Sequence, residues 1–280
     1  MPERRGPVRP LRPQHRSAAF FDLDKTIIAK SSTLAFSKPF QAGGLISRKA
    51  LLRSVYSQFL YVVGGADHDQ MEKMLQFMSQ LVSGWDVQTV RDIVADTLHN
   101  IVEPLVYDEA FNLIEEHHAA GRDVIIVSTS GAEMVEPIGE MLGADHVVAT
   151  RMEVADGKYT GKIRFYAYAE NKAKAISDLA RKRGYDLDGC FAYSDSVTDV
   201  SMLEIVGHPF AVNPDKDLRK IARERGWPIL VFERPVALGS RVKLPATKPT
   251  LAALVIAGVA GVGAAVWINA RRSRRTGFGL

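Results

Sequence analysis

The stretch Phe20-Phe21-Asp22-Leu23-Asp24-Lys25-Thr26-Ile27 sets two carboxylates one residue apart directly behind an apolar run. In an extended chain, side chains two positions apart point the same way, so Asp22 and Asp24 are aimed at one place. Carboxylates this close repel each other, and a nearby cation is needed to keep both ionised. Two further apolar runs also end in polar groups: Ser128, Thr129 and Ser130 follow VIIV, and Asp195 follows CFAYS. Acids and hydroxyls gathered in this way are the raw material of general acid–base and nucleophilic chemistry.

Those runs read as buried strands. "SAAFFDLD" is the first, "RDVIIVSTSG" at 122–131 the second and "GCFAYSDS" at 189–196 the third, with "HPFAV" and "PILVF" after them. Helical patterns separate them: "DEAFNLIEEHHAAG", stopped by Gly121, and "ENKAKAISDLARKRG". Strands alternating with helices of this length predict an α/β fold, a Rossmann-like, doubly wound parallel sheet with helices on both faces. Such sheets bind ligands beyond the carboxyl ends of their strands, where the polar residues cluster here. Asp156-Gly157, between two short extended pieces, predicts a hairpin. Residues 30–107 carry helical periodicity instead and predict a small helical domain inserted after the first strand.

The chain has 280 residues, 46% of them hydrophobic, and a net charge of +4. Residues 1–16 and 269–280 each carry +4, which leaves −4 for everything between them. The sequence between the tails shows no basic stretch with a reading motif or interleaved aromatics, and nucleic acid is not an expected partner. The basic, proline-rich 1–16 reads as a disordered tail with no apolar core of a secretory signal. Cys190 stands alone in an apolar run and reads as a buried core thiol in a reducing setting. His117 and His118, late in a helix, read as solvated.

Residues 251–268 hold no charged or strongly polar side chain across 18 positions, are flanked by basic segments, and have Trp267 near one boundary. That pattern predicts a transmembrane helix joined to the core by a linker at 234–250, with 269–280 as a basic tail. Ala253, Ala257, Gly261 and Ala265 recur every four residues, a stripe through which such helices self-associate. The expectation is a single-pass membrane protein with its catalytic domain on the cytoplasmic side.

Together, "FFDLDKT", "VIIVSTS", "ENKAKAI" and "YSDSVTD" resemble the four motifs of the haloacid dehalogenase superfamily of phosphohydrolases, specifically its phosphoserine phosphatase-like subfamily with a helical cap after the first motif. The resemblance spans about residues 17–232 and implies a core of 17–29 plus 108–233 with 30–107 as the cap. It implies that Asp22 is the nucleophile and forms an aspartyl-phosphate. Asp24 would protonate the leaving group and then activate water. Ser128, the backbone N–H of Thr129, and Lys172 would bind the phosphate, with Lys174 as the rival to Lys172. Mg²⁺ would be held by Asp22, the Asp24 backbone carbonyl and Asp195, supported by Asp199.

The sequence departs from the pattern in three places. Lys25 stands where relatives have a small residue, which opens a rival frame with Asp24 as nucleophile; Ile27 and Ile28 lack the Gly-Thr that frame requires, so Asp22 keeps the role. Thr198 replaces an Asn that helps bind phosphate. Ser31 stands where phosphoserine phosphatases place the Glu that meets the substrate's amino group, which disfavours phosphoserine. The expected function is Mg²⁺-dependent hydrolysis of a phosphate monoester at a membrane, with a lipid phosphate suggested by the anchor; the basic-apolar stretch Leu45 to Val63 reads first as packing inside the cap and second as a surface against lipid headgroups. A phosphatase of soluble metabolites, a phosphotransferase, and a non-catalytic membrane scaffold are the alternatives.

Overall fold

A computed structural model describes residues 16–46 and 79–233. All of them fall in the first of two units, Met1–Leu238. Seven strands form one sheet in the order β4-β3-β2-β1-β5-β6-β7. They are β1 (Ala18–Phe21), β2 (Asp123–Gly131), β3 (His146–Ala155), β4 (Lys158–Phe165), β5 (Phe191–Ser194), β6 (His208–Val212) and β7 (Ile229–Leu230). Every neighbouring pair is parallel except β3 with β4. That exception is the expected hairpin, and both turn residues, Asp156 and Gly157, have positive φ (50° and 76°).

The helices are α1 (Ser32–Ala35), α2 (Ser37–Ala42), α3 (Val87–Ile101), α4 (Asp108–Ala119), α5 (Ala132–Met141), α6 (Glu170–Arg183), α7 (Val200–Glu204) and α8 (Lys216–Arg225). Ala19 and Phe21 of β1 join a core with residues of α3, α4 and α5, while Ala18 and Phe20 join a second core with α6, α7 and α8. Both faces of the sheet are thus covered. This is why β1 reads as an unbroken apolar run: all four residues are fully buried. The two ends of the stretch between β1 and α4 are bound side by side, Ala29 N–H to Leu105 O at 2.8 Å and Tyr107 N–H to Ile27 O at 2.9 Å. α3 opens on Asp86, whose carboxylate accepts from the Thr89 backbone N–H at 2.8 Å.

The expectation of a membrane-spanning chain is corrected. Among the described residues no helix is long and apolar enough to cross a membrane. The longest, α3, has 15 residues, about 22 Å of helix against a hydrocarbon layer of about 30 Å. It buries Val87, Val90, Val94 and Leu98 along one stripe and turns its charged residues outward. The stretch 251–268, with its small-residue stripe, and the 47–63 part of the basic-apolar stretch lie outside the described residues, as do the 1–15 tail and the linker.

His117 is a second correction. It is buried at 2% exposure, below the sheet's centre, edge-on to Phe21, Tyr193 and Phe191. The Arg122 side chain donates to its Nδ1 at 2.7 Å, so Nε2 carries the proton and donates to the Tyr193 hydroxyl at 2.8 Å. Burial first, then the positive charge of Arg122 and His118, lowers its pKa to about 4. His118 is part-exposed and faces Asp145 at 3.2 Å. Cys190 is buried as expected, accepts from the Ala18 backbone N–H at 3.3 Å, and has its thiol pushed up by burial.

Because the unfolded chain binds a proton at His117 near its ordinary value of 6.5 and the folded chain does not, stability is full above about pH 6.5 and falls as pH drops toward 4. Acidification from pH 7 to 5 is expected to remove about 2 kcal/mol through this group. Denaturant titrations of wild type and His117→Gln across that interval test it. The variant should start less stable at pH 7 and lose that much less on acidification; parallel pH profiles would refute the assignment.

Candidate active site

The carboxyl end of β1 delivers Asp22 between the two central neighbours, with its N–H bonded to Tyr193 O of β5 at 2.9 Å. Lys172, in the first turn of α6, reaches it: Nζ lies 2.6 Å from Asp22 Oδ1 and 2.8 Å from Asp199 Oδ2. The lysine is 2% exposed, Asp22 7%, Asp199 2% and Asp195 9%. A buried ammonium held by two buried carboxylates is a construction a chain keeps only with every partner in place. Lys174, the rival to Lys172, makes no such contact among the described residues.

Ser194 was not singled out by the sequence, yet its hydroxyl donates at 2.7 Å to Asp199 Oδ2, the same oxygen that Lys172 meets. The Ser196 N–H in turn donates to Ser194 Oγ at 3.2 Å. Ser196 Oγ and Thr198 Oγ1 lie 3.0 Å apart, so the Thr198 hydroxyl is engaged within its own turn. Asp195 follows Ser194 off the strand end, and its carbonyl accepts from Asp215 N–H at 2.8 Å. No hydrogen-bond donor among the described residues meets its carboxylate.

Ser128 ends the apolar part of β2, is 1% exposed, and accepts from the Ser130 N–H at 3.2 Å, which leaves its own hydroxyl proton free to donate elsewhere. The Thr129 side chain points away, to Ala167 O at 3.0 Å, while its carbonyl accepts from Thr150 Oγ1 at 2.6 Å. Thr129 and Thr150 thereby tie the segment before α6 to β2. Asp24 is half-buried: Ser32 N–H donates to Oδ1 at 2.7 Å and Ser130 Oγ to Oδ2 at 3.0 Å. Lys25 is exposed in the left-handed region, φ 63°, which is why a small residue suits that position.

The charges do not balance. Burial, then Asp199, Asp195 and Asp24, push Asp22 up to about 8 against the pull of Lys172. Burial also raises Asp195, to about 7, with Asp199 and Asp215 adding to it and Lys25 opposing. Burial raises Asp24 too, against its bonds from Ser32 and Ser130. For Lys172 burial works to lower the value, and Asp22 and Asp199 outweigh it, so the ammonium stays protonated. Four acids around one buried ammonium, all with hard oxygen donors, suit a divalent cation such as Mg²⁺. Among the described residues no three acidic, His or Cys side chains form a ready cage. The set expected for Mg²⁺ needs only two side chains, Asp22 and Asp195, with the Asp24 carbonyl.

An α/β sheet with acids, a lysine and a serine converging beyond its central strand ends defines a hydrolase of the haloacid dehalogenase-like class. The pattern of that family matches residues 19–204, and the chain belongs to it. The chain is 60% identical over 261 residues to the inhibition of morphological differentiation protein of Streptomyces azureus, covering 92% of this chain and 94% of that one. It is 56% identical over 262 residues to a probable phosphatase of Mycobacterium tuberculosis (93% and 91% covered). A phosphoserine phosphatase of M. tuberculosis is 31% identical over 264 residues (92% and 82%). Within the family, this protein is a phosphatase.

One backbone feature at the site stores strain. Ala169, the residue before α6, has φ 48° and ψ −125°, a region that suits glycine. Relief of about 1–3 kcal/mol of strain exceeds the roughly 0.5–1 kcal/mol that glycine's extra unfolded freedom costs. Ala169→Gly is therefore expected to stabilise the protein by about 1 kcal/mol, seen as a higher melting temperature; a lower one would contradict the strain assignment.

Proposed function

We propose that this phosphatase hydrolyses small, soluble phosphate monoesters through an aspartyl-phosphate on Asp22, with Mg²⁺ as cofactor. The observation that carries the reading is the buried Lys172 clamped to Asp22 Oδ1 at the end of the central strand. With Oδ1 tied to the ammonium and Oδ2 meeting only the Thr26 hydroxyl at a long 3.4 Å, Oδ2 is the atom that attacks phosphorus. As the Asp22–phosphorus bond forms, the bond from phosphorus to the substrate oxygen breaks, and Asp24 gives its proton to that oxygen. Water then attacks the aspartyl-phosphate, Asp24 takes a proton from it, and inorganic phosphate leaves with Asp22 restored. The Ser128 hydroxyl, the Thr129 N–H and Lys172 hold the phosphoryl oxygens, and Asp199 holds Lys172. Mg²⁺, held by Asp22, the Asp24 carbonyl and Asp195, supplies positive charge for the phosphoryl group when bound.

The membrane and lipid-phosphate expectations, drawn from 251–268 and from a headgroup-facing Leu45 to Val63, form no part of this reading. We take 30–107 as the cap that chooses the substrate. The M. tuberculosis relative named a phosphoserine phosphatase makes phosphoserine a compound to test first, although Ser31 stands where an acidic partner for its amino group is expected.

Purified protein assayed on p-nitrophenyl phosphate, phosphoserine, sugar phosphates and nucleoside monophosphates is expected to show phosphate release that EDTA abolishes and Mg²⁺ restores. Asp22→Asn should lower kcat at least about a thousandfold on every active substrate. Hydrolysis that survives both EDTA and Asp22→Asn would sink the mechanism.

A further inference from the structure

Asp24, the acid/base of the proposed reaction, lies past the end of β1 on a loop, yet its carboxylate is gripped from two separate elements. Ser130, at the end of β2, donates its hydroxyl to Oδ2 at 3.0 Å. Ser32, in the first turn of α1, donates its backbone N–H to Oδ1 at 2.7 Å. The Ser32 hydroxyl also donates to Ser130 Oγ at 2.8 Å, so a directed chain runs from Ser32 through Ser130 to Asp24. Both serines are buried, Ser32 fully and Ser130 at 9% exposure. Ser130 reaches the phosphate side too, since its N–H donates to Ser128 Oγ.

We propose that Ser130, oriented by Ser32, is the positioning residue for Asp24, fixing the carboxylate that protonates the leaving group while leaving the nucleophile untouched. The physical basis is geometric. A half-buried carboxylate on a loop rotates about two side-chain bonds, and a productive proton transfer needs it within hydrogen-bond reach of one oxygen. Two donors converging on different oxygens from β2 and α1 remove that freedom. The Asp22 oxygens are bonded instead to Lys172 and, at 3.4 Å, to the Thr26 hydroxyl. Loss of Ser130 therefore acts on proton transfer and not on attack.

This inference rests on the aspartyl-phosphate reading above, and the test separates the two. Phosphoenzyme formation from p-nitrophenyl phosphate, whose leaving group needs no proton, is compared with that from phenyl phosphate, whose leaving group does, in rapid-quench experiments with wild type, Ser130→Ala, Ser130→Thr and Ser32→Ala. Ser130→Ala is expected to slow the phenyl phosphate step about 10- to 50-fold and the p-nitrophenyl step less than about threefold, with KM changed less than about twofold. Ser130→Thr, which keeps the hydroxyl, should recover most of the loss, and Ser32→Ala should show the same selective loss at smaller size. Equal slowing of both substrates, or no slowing of either, overturns the positioning role. If Ser130→Ala does not fold, Ser32→Ala alone decides by the same selectivity. Failure of wild type to form any phosphoenzyme would instead overturn the reading on which the inference rests.

Discussion

A fully buried lysine governs this structure. An ammonium taken out of water costs several kcal/mol, and Lys172 recovers that only if Asp22 and Asp199 both stand within hydrogen-bond distance. That requirement fixes three things at once: the end of β1, the turn after β5 and the first turn of α6. The supporting details follow from it. Ser194 donates to the same Asp199 oxygen as Lys172, and Thr129 and Thr150 pin the approach to α6. Ala169 accepts an unfavourable backbone so that the helix can begin where its third residue reaches the sheet.

The same constraint makes the site acidic beyond what it can neutralise. Lys172 satisfies one oxygen on each of two carboxylates, and Asp195 and Asp24 remain beside it. Lys25 acts on Asp195 only through space, from an exposed position on a left-handed turn. The oddity of the Asp-Lys-Thr sequence thus resolves into electrostatics. The lysine adds positive charge beside a cluster of carboxylates, and in the proposed reaction the strand's end at Asp22 sets the frame of the chemistry.

The sheet was legible because parallel strands covered on both faces must be apolar throughout, and such runs ending in acid or hydroxyl are rare enough to mark strand ends. Asp22, Ser128 and Asp195 stand at such ends, whereas Lys172, in the first turn of a helix, is picked out by the resemblance to the family's motifs. What stayed hidden depends on partners distant in sequence. Ser130 and Ser194 are unremarkable hydroxyls until Asp24 and Asp199 are seen beside them, and nothing at the level of spacing separates them from Ser128. His117 read as solvated because helix-end histidines usually are; the Arg122 side chain that holds it neutral follows five residues later, and Tyr193 lies 76 residues away.

The two carboxylates of the opening motif are anchored to different parts of the molecule. Asp22 is bound to the sheet and to Lys172, both rigid and buried. Asp24 is bound to Ser130 on β2 and to Ser32 at the start of the chain's insertion between β1 and α4. In the proposed reaction a shift of α1 would therefore act on the acid/base Asp24, while the nucleophile Asp22 stays bonded to Lys172. Attack on phosphorus there depends on the end of β1 and on Lys172 of α6, whereas proton delivery depends on where the insertion begins. Two acids separated by a single leucine in this way answer to different structural elements.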